Sequence, residues 1–216
     1  MVNIAGLHES LITQTYNHGR YTHFKINDPK PRDIHKASVR DRLLHHAIHR
    51  KLYPIFDRTF IADSYSCRKG KGLHKALARF TIFGRKVSQN NTKTCWILKC
   101  DIKKFFASID HKILLGLLSK RITDDRSLNL LGKVIQSFDR ALGLGLPLGN
   151  LTSQLFANIY LNELDQFIKH KLQIKYYIRY ADDFIILSDN QDDLKQLSAK
   201  IEIFFTNQPK TAITSG

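Results

Sequence analysis

Apolar residues recur at helical spacing in several stretches of the chain and cluster into short β-rich runs in others. Ser38 precedes Val39, Leu43, Leu44, Ala47, Ile48 and Leu52, a series that predicts a capped helix, ended or bent at Pro54. Upstream, Asn27-Asp28-Pro29-Lys30-Pro31-Arg32 predicts a turn or loop, since prolines fit neither a helix interior nor a central strand. Cys67-Arg68-Lys69-Gly70-Lys71-Gly72 reads as a basic glycine loop, Leu73–Phe80 as a helix, and Lys86–Lys93 as an exposed connection. The second half is more regular. Cys95–Cys100 is a short apolar run with the length of a buried strand. Asp110 precedes a helix carrying Ile113, Leu114, Leu117 and Leu118, and Thr123 precedes another carrying Leu130, Leu131, Val134, Ile135 and Phe138. After a glycine-rich turn at Gly143–Gly149 comes the strongest helical pattern, Asn150–Lys171. Tyr176–Tyr180 and Phe184–Leu187 are β-rich runs on either side of Ala181-Asp182-Asp183, which predicts a hairpin with two carboxylates at its tip. Helices and strands interleave, so the expected fold class is α+β.

The 216 residues suffice for one large domain or two small ones, and 43% hydrophobic with 25% charged residues describes a globular chain. No window approaches the ~20 apolar residues of a membrane helix, and no basic segment followed by an apolar block marks a secretory leader at the N-terminus. Three cysteines, at 67, 95 and 100, are too few for a disulfide framework or a zinc site of paired cysteines, which points to a reducing interior. Charge changes the picture most. Thirty-four Lys and Arg against 19 Asp and Glu leave +15. On a folded domain that excess favours a polyanion, nucleic acid first, over a solubility surface or an anionic membrane face. The basic residues are spread along the chain, which suits a groove built by folding rather than a basic tail.

Adjacent acids between two apolar strands are costly, because strands disfavour Asp and burial disfavours charge. A plain Asp-containing turn would explain Asp182 and Asp183 alone. Asp101 alters that balance: it ends the Cys95–Cys100 run and is followed by Lys103, Lys104, Phe105 and Phe106. Two strand ends in one sheet can bring Asp101 beside Asp182. Three carboxylates with oxygen-only ligation suit Mg²⁺, and two such ions would stabilise the attacking and leaving oxygens of a phosphoryl transfer. A basic chain with such a cluster points towards nucleotide polymerisation or cleavage.

Three segments carry a family resemblance. Tyr180-Ala181-Asp182-Asp183 resembles the YxDD box of reverse transcriptases. Leu98–Phe106, centred on Asp101, resembles the first carboxylate motif of their palm, and Gly145–Gln154 resembles the intervening nucleotide-site motif. Asp28–Ile34 and Asp41-Arg42 resemble motifs of the fingers. The set occurs in the family's order and covers about residues 20–190. The resemblance implies a right-hand polymerase of fingers and palm, with an antiparallel palm sheet packed on helices. It implies fingers over 1–94, a palm over 95–206 with a helical insertion near 110–140, and a truncated tail at 207–216 without a thumb. The implied activity is RNA-directed DNA synthesis at low fidelity by a retroelement enzyme, cytoplasmic and prokaryotic or phage-encoded. The implied partners are an RNA template, a DNA or RNA primer, dNTPs and an accessory protein, with no membrane. Leu148 and Gln154 stand where most polymerising relatives have Gln and Pro, a pattern most similar to diversity-generating retroelements, with group II intron and retron enzymes next.

By the same resemblance, Asp101 and Asp182 are the catalytic ligands of two Mg²⁺ ions, replaceable by Mn²⁺. Asp183 assists, and Ile102 adds its main chain. Phe106 matches the aromatic gate beneath the sugar 2′ position, where it excludes ribonucleotides; its alternative is ordinary core. Lys25, Lys30 and Arg32 are candidates to grip the triphosphate, with Leu148 and Gly149 beside the nucleotide. Arg68, Lys69, Lys71 and Tyr180 are candidates for template and primer; a solvated loop explains the first three equally well. His45, His46 and His49 lack zinc-spaced partners and are expected on a helix surface. Two rivals stand beside polymerisation: a nucleotide cyclase, which would need a different turn sequence, and a non-catalytic, maturase-like RNA-binding remnant.

Overall fold

The computed structural model describes residues 4–27, 31–206 and 213–215. In chain order they form α1 (Ile4–Ile12), β1 (Thr22–Ile26), β2 (Arg32–Lys36), α2 (Val39–Asp57), α3 (Leu73–Val87), β3 (Trp96–Ile102), α4 (Phe105–Ser108), α5 (His111–Ser119), α6 (Asp125–Ile135), α7 (Leu151–Gln166), a π-helical turn (Phe167–Lys171), β4 (Tyr177–Tyr180), β5 (Asp183–Ser188), α8 (Gln191–Thr206) and β6 (Ile213–Ser215). This is the expected α+β class, with two antiparallel sheets. The chain divides into two compact units. One gathers residues up to Arg58 with Phe106–Tyr160; the other gathers Thr59–Phe105 with the residues from Leu161 on.

In the first unit, β1 and β2 form a hairpin in register from Thr22↔Lys36 to Ile26↔Arg32. The segment expected as a loop, Asn27–Arg32, falls between β1 and β2, with Arg32 already in β2; Asp28, Pro29 and Lys30 lie outside the described residues. Ser38 caps α2 by accepting from the Asp41 N–H. Leu44, Ile48, Leu52 and Phe56 form its buried stripe. Pro54 does not end this helix, which runs on to Asp57 because a proline near the last turn removes only one ladder bond. Asp110 caps α5 by accepting from the N–H groups of Lys112 and Ile113. The cap of α6 is Asp124 rather than Thr123: its carboxylate accepts from Ser127 N–H and adds a charge that complements the helix dipole. Helix α6 packs on α5 and buries Leu131, Val134 and Ile135.

The second unit is built on a four-stranded sheet of order β4-β5-β3-β6. Helix α3 extends past Phe80 to Val87 because its buried stripe continues through Phe83 and Val87, and Arg85 and Lys86 complement its C-terminal dipole. It packs on β4 and β5 through a cluster of Tyr65, Ala76, Phe83, Val87, Ile178 and Leu187. Helix α8 lies against β3 and β5, with Leu194, Ile201 and Phe205 buried. The run expected as a buried strand is buried only at its far end. Cys100 and Ile102 are covered, while Trp96 and Ile97 are 40% and 48% exposed. The reason is local support: β6 pairs with β3 only at Cys100–Ile102. Ile213–Ser215, read from sequence as part of a polar tail, is thus a strand of the sheet.

Candidate active site

The hairpin predicted around Ala181-Asp182-Asp183 is present. Tyr180 pairs with Asp183, which leaves Ala181 and Asp182 as the turn. Ala181 has φ +56°, a left-handed conformation that costs an L-residue roughly 1 kcal/mol or more. In the antiparallel pair β3·β5, Asp101 stands directly opposite Asp183. Opposed residues share a face of the sheet with Cβ atoms about 5 Å apart, and like charges so placed repel. Asp101 and Asp183 are exposed and Asp182 is half-buried, while Ile102 is buried, next along the strand. Among the described residues no three His, Cys, Asp or Glu side chains converge on a single point. Magnesium does not need such a cage: it takes one or two carboxylates and completes its octahedron with waters and substrate phosphates. Two opposed carboxylates, a third in the adjoining turn and oxygen donors throughout fit a hard divalent cation.

What fixes this hairpin is a buried ionic network that the sequence reading did not single out. Arg179 is wholly buried. Its Nε donates to Asp165 Oδ1 at 2.8 Å and its Nη2 to Asp165 Oδ2 at 2.7 Å, a bidentate pair with both side chains at zero exposure. Tyr177 OH donates to the same Asp165 Oδ1 at 2.7 Å. The remaining arm, Nη1, donates to the carbonyl of Ala181 at 3.0 Å. Burial opposes the charge on Arg179, yet Asp165 holds its pKa above the ordinary value. The backbone of Arg179 is tied as well: its N–H donates to Asp63 O and its carbonyl accepts from Tyr65 N–H, both at 3.0 Å. Asp63 in turn accepts from Arg79 Nε at 2.8 Å and from Tyr65 OH at 3.0 Å. The sequence did carry a trace of this: one Arg inside an apolar strand and one Asp inside the apolar pattern of α7.

The predicted nucleotide-site residues fall on the first unit. Phe105 is 2% exposed and fills core, whereas Phe106, next in α4, is half-buried. The carbonyl of Phe106 accepts from Leu146 N–H at 2.7 Å, which fastens α4 to the glycine-rich turn. That turn is fastened to β2 by His35 N–H donating to Leu148 O at 2.9 Å and by Asn150 Nδ2 donating to His35 O at 3.0 Å. Gly149 has φ +105°, and a Cβ there would stand 2.9 Å from Ile34 Cγ2. Its lack of a side chain therefore serves the contact with the hairpin. Lys25 and Arg32 are exposed on β1 and β2; Lys30 lies outside the described residues.

His45 departs from expectation. It is 2% exposed rather than on the helix surface, because its face of α2 turns into the unit with Leu44 and Ile48. Its Nδ1 is 2.5 Å from Thr152 Oγ1 and its Nε2 is 3.0 Å from His18 Nε2. His18 Nδ1 lies 2.6 Å from the Gly19 carbonyl, so that nitrogen carries the proton. His18 Nε2 must then accept from His45 Nε2–H, and His45 Nδ1 from the Thr152 hydroxyl. Burial, and then the neighbouring His18, push the His45 pKa down to about 4. His46 is exposed as expected, and His49 is half-buried with its ring stacked on Tyr53 at 5.2 Å.

The basic glycine loop belongs to the second unit. Arg68 Nη1 donates to Ile61 O at 2.7 Å and Ser64 O at 3.0 Å, and Lys71 Nζ donates to Ala62 O at 2.7 Å. Any template contact by these two competes with bonds that shape the loop. Lys69 is exposed in the same loop, and Tyr180 is 38% exposed at the foot of the carboxylate hairpin.

The sequence matches the family described as reverse transcriptase (RNA-dependent DNA polymerase) over residues 25–209. It is 28% identical over 158 residues to Protein YkfC of Escherichia coli (strain K12), covering 70% of this chain and 41% of that protein. It is 30% identical over 158 residues to the group II intron-encoded protein LtrA of Lactococcus lactis subsp. cremoris, covering 70% and 24%. The chain thus spans less than half the length of these relatives. Among solved structures, apo telomerase from Candida tropicalis, truncated from its C-terminal domain, superposes with a TM-score of 0.60 at 14% identity, over 98% of this chain and 55% of that one. Telomerase from Candida albicans with the TWJ fragment of telomeric RNA gives 0.62 at 12% identity, over 97% and 47%. The fold is that of telomerase and reverse transcriptases, a mixed architecture of fingers and palm type, and the chain belongs to the reverse transcriptase family.

Proposed function

We propose that this chain carries the polymerising centre of an RNA-directed DNA polymerase. The observation that carries the reading is the register of Asp101 against Asp183, beside Asp182 in a Tyr-Ala-Asp-Asp turn. Opposed carboxylates at a sheet end are a repulsive arrangement until a cation joins them. Two divalent ions, Mg²⁺ or Mn²⁺, would be held by Asp101, Asp182, Asp183 and the Ile102 carbonyl, and would supply charge stabilisation for the attacking and leaving oxygens. The reaction is attack of a primer 3′-hydroxyl on the α-phosphate of a dNTP with departure of pyrophosphate. Phe106 selects against the 2′-hydroxyl, which its half-buried position in α4, with Phe105 taking the core, supports. Lys25, Lys30 and Arg32 grip the triphosphate, and Leu148 and Gly149 adjoin the nucleotide. Lys69 and Tyr180 serve the template and primer, and Arg68 and Lys71 join them only by giving up bonds to loop carbonyls. The template is RNA and the primer DNA or RNA, bound by a chain of net charge +15.

A retroelement origin of group II intron type is supported by the intron-encoded relatives. The diversity-generating alternative rests on Leu148 and Gln154. The test is primer extension on an RNA template by the parent and by Asp182→Asn, each with RNA binding measured alongside. The expected result is loss of extension with binding nearly intact, because metal ligation needs the carboxylate while phosphate contacts elsewhere dominate affinity. Mutant activity within tenfold of the parent would remove the metal role. RNA binding by a parent that extends no primer would favour the RNA-binding module instead.

A further inference from the structure

We propose that Arg179 is a positioning residue for the Asp182–Asp183 carboxylates, acting through the carbonyl of Ala181. The proposal rests on the polymerase reading above and names the device that keeps its metal ligands in place. Asp183 is held from two sides, since it pairs with Tyr180 and with Asp101. Asp182 stands outside the strand register, in the turn whose backbone carries it. That backbone passes through Ala181 at φ +56°, a conformation an alanine leaves readily unless it is held. Besides the Tyr180–Asp183 pairing that closes the turn, the side-chain hold on it is Arg179 Nη1, 3.0 Å from the Ala181 carbonyl.

Arg179 can hold the turn because it cannot move. Its guanidinium is fixed by Asp165 at 2.8 and 2.7 Å, Asp165 is fixed by Tyr177 OH at 2.7 Å, and the backbone of Arg179 bonds to Asp63 and Tyr65. The planar fork thus addresses a carboxylate with two nitrogens and the turn with the third. A lysine keeps the charge but offers a single donor centre on a flexible stem, so it satisfies Asp165 and abandons Ala181, or the reverse. Catalysis by oriented ligands is sensitive to displacements of a fraction of an ångström. Loss of the Nη1 bond should therefore weaken metal binding and turnover together and leave the affinity for nucleic acid alone.

The 216-residue chain is compared as parent, Arg179→Lys and the double variant Arg179→Lys with Ala181→Gly. Three quantities are measured: binding of Mn²⁺ by electron paramagnetic resonance, binding of RNA, and kcat and KM in primer extension. Glycine adopts the left-handed turn unaided, so it replaces the missing hold without repairing the ion pair. We expect Arg179→Lys to weaken Mn²⁺ binding about tenfold and to lower kcat by 10- to 100-fold with KM and RNA affinity near the parent's. The glycine should return at least half of the Mn²⁺ loss on a logarithmic scale. A purely structural ion pair predicts no such rescue, so equal affinity in parent and Arg179→Lys, or a loss that glycine leaves untouched in a chain that still binds RNA, overturns the proposal. If Arg179→Lys fails to fold, Ala181→Gly in an Arg179→Met, Asp165→Leu background, which removes both charges, takes its place with the same two outcomes. A parent that binds Mn²⁺ but extends no primer defeats the polymerase reading alone, and the Mn²⁺ comparison still decides the role of Arg179. A parent that binds no Mn²⁺ defeats both.

Discussion

At the scale of single residues, His45 shows how a side chain discounted as surface becomes a pH-sensitive part of the core. Burial and the neighbouring His18 put its pKa at about 4, against about 6.5 for an exposed imidazole. The unfolded chain therefore binds a proton between pH 6.5 and 4 that the folded chain refuses, and stability falls as pH falls through that window. Above pH 6.5 both states are neutral and the contribution is constant. The expected loss is about 3 kcal/mol when the window is fully crossed. Urea titrations at pH 7.5 and 4.5, on the parent and on His45→Gln, measure it: the parent should lose more stability than the variant by most of that amount. Equal losses would mean that His45 accepts its proton without leaving its bonds to Thr152 and His18. The buried pair Arg179–Asp165 behaves differently, because it is charged in the folded state and its weakness is removal of one partner. Such a loss costs about 3–5 kcal/mol by leaving an ion buried alone.

Among the elements, the β1–β2 hairpin and the glycine-rich turn form one joint. His35 is bonded on both its backbone groups to Leu148 and Asn150, and Ile34 occupies the space a Gly149 side chain would need. Gly149→Ala should therefore destabilise by about 1–3 kcal/mol, from overpacking and from φ +105° together. Gly149→Ala in an Ile34→Ala background separates the two, since only the packing part is relieved. A thermal shift for Gly149→Ala smaller than 1 °C would show the joint to be loose. This level also shows what the amino-acid sequence reveals and what it hides. Helix starts at Ser38 and Asp110 were legible because capping is local chemistry, written in one side chain and the next three residues. The carboxylate hairpin was legible because two β-rich apolar runs break at Ala181-Asp182-Asp183. The end of α3, the exposed start of β3 and the buried His45 were not, because each depends on which face another element covers. The partnership of Asp165 with Arg179 was hidden for the same reason: each reads as an isolated charge until tertiary packing supplies the other. Of the candidate site, the carboxylates were legible and the residues that hold them were not.

For the molecule as a whole, the proposed function makes charge the term that governs an encounter with nucleic acid. An excess of +15 spread along the chain implies many phosphate contacts, and each releases counterions. RNA affinity should fall by about 300-fold or more between 50 and 200 mM salt if six to ten phosphates of a single strand are engaged, with a linear dependence on the logarithm of salt concentration. A change under threefold, measured by fluorescence anisotropy on a labelled single strand, would mean that the positive surface is not the binding surface. Arg68 and Lys71 should add little to that slope, since their ammonium and guanidinium groups already serve loop carbonyls. Among the described residues no helix is long and apolar enough to cross a membrane. The chain's one tryptophan has an accidental use. Trp96 opens the strand that ends in Asp101 and Ile102, and at 40% exposure its indole is neither sealed nor free. Its emission is therefore a native optical reporter wired to the strand that carries Asp101. Quencher access and spectral position give the state of that strand in every carboxylate variant, without a label and in the same cuvette that holds the activity assay.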